Sequence, residues 1–312
     1  MKILFFGTNF ISKEYLKALY IDHHDIFVIT KSDKQSFRGL RYIPNEVKSY
    51  SKRNNIEFIQ PDVFTCDVVD VIKKKFFDVG IVVSYGKLIP KNIFDLPKNK
   101  IFNIHFSLLP KYRGATPVQS SLCNGETETG VTSFFLSEKL DYGDILIQEK
   151  IDIDINDNFN TLLFKLIPVG INVMKKTIIL LKSGSIKTTK QIGEHSITSI
   201  LKKETGLLDW NNKANEIYNK FRGLYDWPGI YSIFSFGKLL GKRIKFIEIE
   251  KLNENLINSD YGVVSSIKKN KGFVISCSVG EILALKVQLD NKNIVSAWTL
   301  VHTGQIVIGD RL

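Results

Sequence analysis

Cysteine is scarce in this chain. Only Cys66, Cys123 and Cys277 occur among 312 residues, an odd number with no C-x-x-C pair. Neither a disulfide framework nor a zinc site is expected from them. Long apolar runs are missing as well: stretches such as Gly80 to Val83 or Ile178 to Leu181 fall far short of the roughly 20 residues that a membrane helix needs. At the N-terminus, Ile3 to Phe6 leads straight into Gly7 without a small-residue cleavage site, so it reads as a first strand rather than a secretory signal. The expectation is a cytoplasmic protein with no membrane partner. The histidines form no metal cluster in the sequence, and neither a repeat nor a coiled-coil heptad is visible.

What is present is globular. Apolar residues at 44% and charged residues at 24% lie near the average for packed domains, which leaves no support for disorder or a fibrous repeat. The net charge of +11 makes a polyanionic partner worth considering, although charge alone names none. Short β-rich runs alternate with helical ones through the first 190 or so residues: strands at Lys2 to Phe6, Ile26 to Thr30, Glu57 to Ile59, Asp78 to Ser84 and Lys100 to His105, with helices between. Strands near Gly130 to Leu136 and Ile145 to Ile151 follow, then a helix over Asn160 to Lys182 that Pro168 should bend or split. Strands apolar on both faces require cover on both sides, so the economical fold is α/β, a doubly wound, mostly parallel sheet. After a polar, basic stretch come a helix at Ala214 to Phe221 and five short strands punctuated by Gly and Asn, which suggest a small β-barrel. The expected organisation is a catalytic domain at 1–189, a linker at 190–206 and a barrel domain at 207–312. Trp210, Trp227 and Trp298 are read as core anchors of the second domain.

In a doubly wound sheet, ligands bind beyond the carboxyl ends of the strands. Gly7-Thr8-Asn9-Phe10 stands where a dinucleotide fingerprint would be, but has one glycine instead of G-x-G-x-x-G, so a nicotinamide cofactor is disfavoured. The richer stretch runs from Ile101 to Asp144. Asn103 and His105 are two residues apart and leave the same face of an extended strand. Asp144 arrives at the end of an Asp-Tyr-Gly-Asp turn, in which Asp141 reads as a turn residue. An amide, an imidazole and a carboxylate suffice for acyl transfer without a covalent enzyme intermediate: the amide donates to the developing oxyanion, the imidazolium stabilises it or supplies a proton, and the carboxylate holds the imidazole.

The run Asn103-Ile104-His105 to Pro117, with Ser107-Leu108-Leu109-Pro110 and Tyr112-Arg113-Gly114, followed by Leu140-Asp141-Tyr142-Gly143-Asp144, resembles the signature of folate-dependent formyltransferases. Within that family, the text at Phe6-Gly7-Thr8, Val83 to Pro90, Lys202 to Trp210, Trp227-Pro228 and Gly309-Asp310-Arg311-Leu312 is similar to the branch that acts on methionyl initiator tRNA. The resemblance implies a Rossmann-like formyltransferase domain with an OB-like C-terminal barrel that tracks tRNA phosphates. It carries the catalytic roles onto Asn103, His105 and Asp144. The implied co-substrate is 10-formyltetrahydrofolate, with no metal. The implied folate site comprises Tyr85, Gly86, Lys87, Leu88 and Ile89, then Ser107, Leu108, Leu109 and Pro110, and the loop Leu140, Asp141, Tyr142 and Gly143, where main-chain groups would read ring heteroatoms. The formyl group would pass directly to the α-amine of methionyl initiator tRNA through a tetrahedral intermediate, for translation initiation, in a monomeric enzyme. The loop after the second strand carries Arg38-Gly39, matching the family's tRNA-reading loop, so Lys34, Arg38 and Arg41 are the expected tRNA contacts. That loop is shortened here, and Thr8-Asn9-Phe10 replaces a commoner Pro-Asp-Phe.

A nucleotide-sugar N-formyltransferase would share Asn103, His105 and Asp144 yet take a sugar amine. A vestigial RNA-binding protein is disfavoured because all three groups remain. Read without the rest of the signature, Asn103 and His105 would simply close a strand, and Arg38 and Arg41 would be a solvated loop.

Overall fold

The computed structural model describes residues 1–35 and 42–312. Arg38 and Arg41 lie outside the described residues. The chain groups into two units, one of Met1–Pro117, Glu128–Ile151 and Phe164–Thr198, the other of Val118–Thr127, Asp152–Leu163 and Ser199–Leu312. The stretch expected as a linker, 190–206, is thus divided between the two.

The first unit is built on a seven-stranded sheet in the order Ile145–Asp152, Glu128–Phe135, Ile101–His105, Val79–Val83, Lys2–Gly7, Asp25–Ile29, Phe58–Ile59. The pairs from Ile101–His105 across to Phe58–Ile59 are parallel, and Glu128–Phe135 turns antiparallel against Ile101–His105. Val79 to Val83 is buried along its whole length and Lys2–Gly7 from Ile3 onward, as strands covered on both faces must be. The order in which strands are added reverses at Lys2–Gly7, so the crevice between its carboxyl end and that of Val79–Val83 is a topological switch point. Two side chains tie the crevice: the Ser12 hydroxyl donates to the Val83 carbonyl at 2.6 Å and the Thr8 hydroxyl to the Tyr85 carbonyl at 3.0 Å. Gly7 is glycine because a Cβ there would stand 2.5 Å from that of Ser12, in the helix Phe10–Ile21 that Asn9 caps. The lone glycine therefore serves close strand-to-helix packing.

Pro168 does not split its helix. Phe159–Ser183 runs unbroken over 25 residues from an N-terminus where the Asn158 side chain accepts from Asn160 and Thr161. Leu166, Ile167, Val173 and Met174, buried on either side of the proline, outweigh its missing N–H. Among the described residues no helix is long and apolar enough to cross a membrane.

The second unit is an antiparallel sheet in the order Ile230–Ile233, Arg243–Ile257, Val279–Leu289, Gly272–Ser276, Val264–Lys268. Arg311 makes backbone bridges both to Phe236, just past one edge strand, and to Val263, just before the other, so the residues around it link the two edges of the sheet. Trp210 is the core anchor that was expected: it is buried, it packs on Phe246, and its indole N–H donates to Ser232. Trp227 is 52% exposed and is not a core residue, and Trp298 is only half-buried.

Candidate active site

Asn103 and His105 occupy alternate positions of Ile101–His105 at its carboxyl end. The register sets Asn103 beside Val82 on one side and Phe134 on the other, and His105 opposite Thr132. Strand alternation sends both side chains to one face, with Phe102 and Ile104 on the other. Asn103 is half-buried; His105 is nearly enclosed, its ring edge-on to Phe134. The imidazole Nε2 lies 2.8 Å from the Tyr112 carbonyl, which can only accept, so Nε2 carries a proton. The opposite ring nitrogen, Nδ1, lies 3.8 Å from a carboxylate oxygen of Asp141.

That carboxylate is a correction to the sequence reading. Asp144 was expected beside His105, but its carbonyl accepts from the Phe135 N–H, which sets its backbone on the far side of Glu128–Phe135, two strand spacings or ~10 Å from Ile101–His105. Asp141, read as a turn residue, is buried to 7% exposure and also accepts from the Gly114 N–H at 2.8 Å. The cause is local. Asp141 has φ +57°, and this left-handed turn swings its side chain inward; aspartate tolerates that conformation better than most residues. Gly143 is glycine because a Cβ there would meet the Phe135 carbonyl at 1.6 Å.

The Ser107 to Gly114 turn carries the Tyr112 carbonyl, and residues outside the recognised motifs pin it. The Thr132 hydroxyl donates to the Ser107 carbonyl at 2.6 Å, and the Gln148 amide donates to Thr132 at 2.8 Å and to the Leu109 carbonyl at 3.0 Å. Gln191 holds the loop around Asp141. Sequence reading missed Thr132, Gln148 and Gln191; strand alternation from Phe134 back to Thr132 was the only local signal for any of them.

The residues expected around folate divide into two sets. Ser107 and Leu109 are buried, and the Ser107 hydroxyl donates to the Lys111 carbonyl, so both shape the turn from within. The Tyr85 ring lies in the core against Phe6, where burial pushes its hydroxyl up to about 12. The Lys87 ammonium is drawn to the carbonyls of Pro61 and Asp62. Gly86 has φ +69°, and Ile89 packs beneath. Leu88 at 83% exposure, Leu140 at 61% and Tyr142 at 38% present open apolar surface, while Leu108 and Pro110 are half-buried. Main-chain readout is more restricted than expected, because the carbonyls of Tyr85, Asp141 and Gly143 already accept from Thr8 and Gln191. Lys34 lies in a two-residue strand paired with Tyr42–Ile43.

An imidazole and a carboxylate 3.8 Å apart, with an amide on the same strand face at the carboxyl end of a doubly wound sheet, suit the transfer of an acyl group. The comparisons narrow the class. Residues 1–178 match the Formyl transferase family, and residues 200–303 match the Formyl transferase, C-terminal domain. The methionyl-tRNA formyltransferase of Endomicrobium trichonymphae is 57% identical over 311 residues, covering 100% of both chains. That of Fusobacterium nucleatum is 33% identical over 317 residues, again with 100% of both covered. Among solved structures, the N-formyltransferase of Helicobacter canadensis, in complex with folinic acid and dTDP-3-aminofucose, has a TM-score of 0.67 at 21% identity, over 91% of this chain and 98% of that one, a likeness of fold. The chain belongs to the formyl transferase family, in its methionyl-tRNA formyltransferase branch.

Proposed function

We propose that the protein transfers the formyl group of 10-formyltetrahydrofolate to the α-amine of methionyl initiator tRNA, with Asn103, His105 and Asp141 around the migrating carbon. The observation that carries the reading is the His105 imidazole, bonded to the Tyr112 carbonyl and with the Asp141 carboxylate 3.8 Å from its other nitrogen, on the same strand face as Asn103. It stands in a chain similar over its full length to methionyl-tRNA formyltransferases. The acceptor tRNA accounts for a chain of +11 and for a cytoplasmic setting.

The chemistry asks little of a base. An α-amine has a reference pKa of about 7.7 to 8.0, so a neutral fraction exists near pH 7. As the amine nitrogen bonds to the formyl carbon, the carbonyl oxygen takes up negative charge, and the Asn103 amide N–H donates to it. His105 faces the same charge: with Nε2 committed to Tyr112, Nδ1 is the ring atom turned toward the Asp141 carboxylate, 3.8 Å away. Asp141 receives the proton that the amine must lose. When the bond from the formyl carbon to the donor nitrogen breaks, a proton from this pair goes to the departing nitrogen. The exposed side chains of Leu88 and Leu140 suit the flat face of a folate ring; the donor supplies the activated one-carbon unit, and the protein supplies position and charge.

Incubation with 10-formyltetrahydrofolate and either methionyl-tRNA or a panel of nucleotide-linked amino sugars tests the reading. Formylation of methionyl-tRNA is expected. Turnover of an amino sugar alone would replace it with a sugar N-formyltransferase.

A further inference from the structure

The carboxamide of Gln191 stands between one cation and two carbonyls. Its Oε1 accepts from Nε and Nη2 of Arg113 at 3.0 and 2.7 Å, and its Nε2 donates to the carbonyls of Asp141 and Gly143 at 2.9 and 2.8 Å. Arg113 is buried, with its guanidinium 3.5 Å from the centroid of the Tyr142 ring. A guanidinium only donates and a carbonyl only accepts, so a primary amide is the side chain that satisfies both sides. A carboxylate would keep Arg113 but set its lone pairs against both carbonyls. An apolar residue of the same size would lose both sides.

The two donated bonds bracket Tyr142 and act where the backbone resists. Asp141 holds φ +57°, a left-handed conformation that is uncommon even for aspartate and that these bonds stabilise. Gln191 fixes its carbonyl and Gly114 its carboxylate. The same segment reaches the other neighbour of His105: the Ser196 hydroxyl accepts from the Tyr112 N–H at 2.8 Å and the Ser196 carbonyl from the Arg113 N–H at 2.9 Å.

We propose that Gln191, outside every recognised motif, is a positioning residue for formyl transfer, which acts by holding the loop that presents Asp141 to His105. The proposal rests on the role given to Asp141 above.

The test compares Gln191→Glu, Gln191→Leu, Asp141→Asn and the double variant Gln191→Leu/Asp141→Asn in the full chain, reading kcat, KM for methionyl-tRNA and melting temperature. Gln191→Glu and Gln191→Leu are each expected to lose about 10- to 100-fold in kcat, the scale set by a displacement of about 1 Å, with KM for the tRNA unchanged. The double variant is expected to be no slower than Asp141→Asn, because both substitutions remove one function. Losses that multiply in the double variant, or a Gln191→Glu with wild-type kcat, would overturn this proposal alone. Asp141→Asn at wild-type kcat would overturn the catalytic reading and this proposal with it. If Gln191→Leu does not fold, Gln191→Glu, which keeps a partner for Arg113, carries the test.

Discussion

His105 is hydrogen-bonded at one ring nitrogen and faces a carboxylate 3.8 Å away at the other, so the two contacts differ in kind. The Tyr112 carbonyl fixes the proton on Nε2, whereas the Asp141 carboxylate offers Nδ1 a charge. Orientation and electrostatics are thus assigned to separate partners, leaving Asn103 to meet the oxyanion. Asn103→Ala should lower kcat by roughly 100- to 1,000-fold, the usual cost of one oxyanion donor, while KM for methionyl-tRNA changes little. Asp144→Asn should lose much less than that in the same assay, since the Asp144 backbone lies beyond the neighbouring strand. Equal losses in the two variants would return the catalytic carboxylate to Asp144. At this scale the sequence was only half legible. The two-residue spacing of Asn103 and His105 is a strand property and can be read by counting. The choice between Asp141 and Asp144 depends on the sign of one φ angle, which no local pattern of residue types announces.

Among the elements, the helix Phe159–Ser183 shows how packing sets the identity of single residues. A Cβ on Gly170 would stand 1.8 Å from the hydroxyl of Tyr15, a fully buried tyrosine whose oxygen has no hydrogen-bond partner among the described residues. Gly170→Ala should therefore destabilise by about 1 to 3 kcal/mol through overpacking. The loss should shrink in a Tyr15→Phe background, which removes the clashing oxygen; equal losses in both backgrounds, read by denaturant unfolding, would refute the contact. Elements with strong periodicity were legible from sequence: the expected strand Lys2 to Phe6 is Lys2–Gly7, and the expected strand Ile145 to Ile151 is Ile145–Asp152. Short elements such as Pro117–Cys123 and Ala297–His302 were not, because six or seven residues complete too few turns to show a period. The role of Gln191 was out of reach for another reason. Its partners Asp141 and Gly143 lie 50 and 48 residues away, and only the fold brings them together.

At the scale of the whole molecule, burial among the described residues favours the protonated form of several weak acids, most strongly Tyr15, Tyr85, Cys123 and Cys277. Desolvation raises Cys123 from its ordinary 9.0 to about 11, Cys277 to about 12 and Tyr85 from 10.0 to about 12, and moves Tyr15 in the same direction. Each folded-state value lies above the unfolded one, so above pH 9 the unfolded chain sheds protons that the folded chain keeps. Stability should be flat with respect to these groups below pH 8 and should fall as pH climbs from 9 to 11, as thermal melts at stepped pH would show. A melting temperature that does not decline over that range would contradict the burial argument. Thiolate is the reactive form, so exposed Cys66 should react first with a disulfide reagent at pH 8, half-buried Cys123 more slowly, and buried Cys277 only on unfolding. The remaining claim, on which the function rests, is that Asn103, His105 and Asp141 form one reaction centre. The rate of formyl transfer from 10-formyltetrahydrofolate to methionyl initiator tRNA, measured at saturating donor and acceptor for the native chain and for Asp141→Asn, addresses it most directly. A fall of about 100-fold or more, the scale of a lost proton-handling group, is expected; turnover by Asp141→Asn at the native rate would contradict the account.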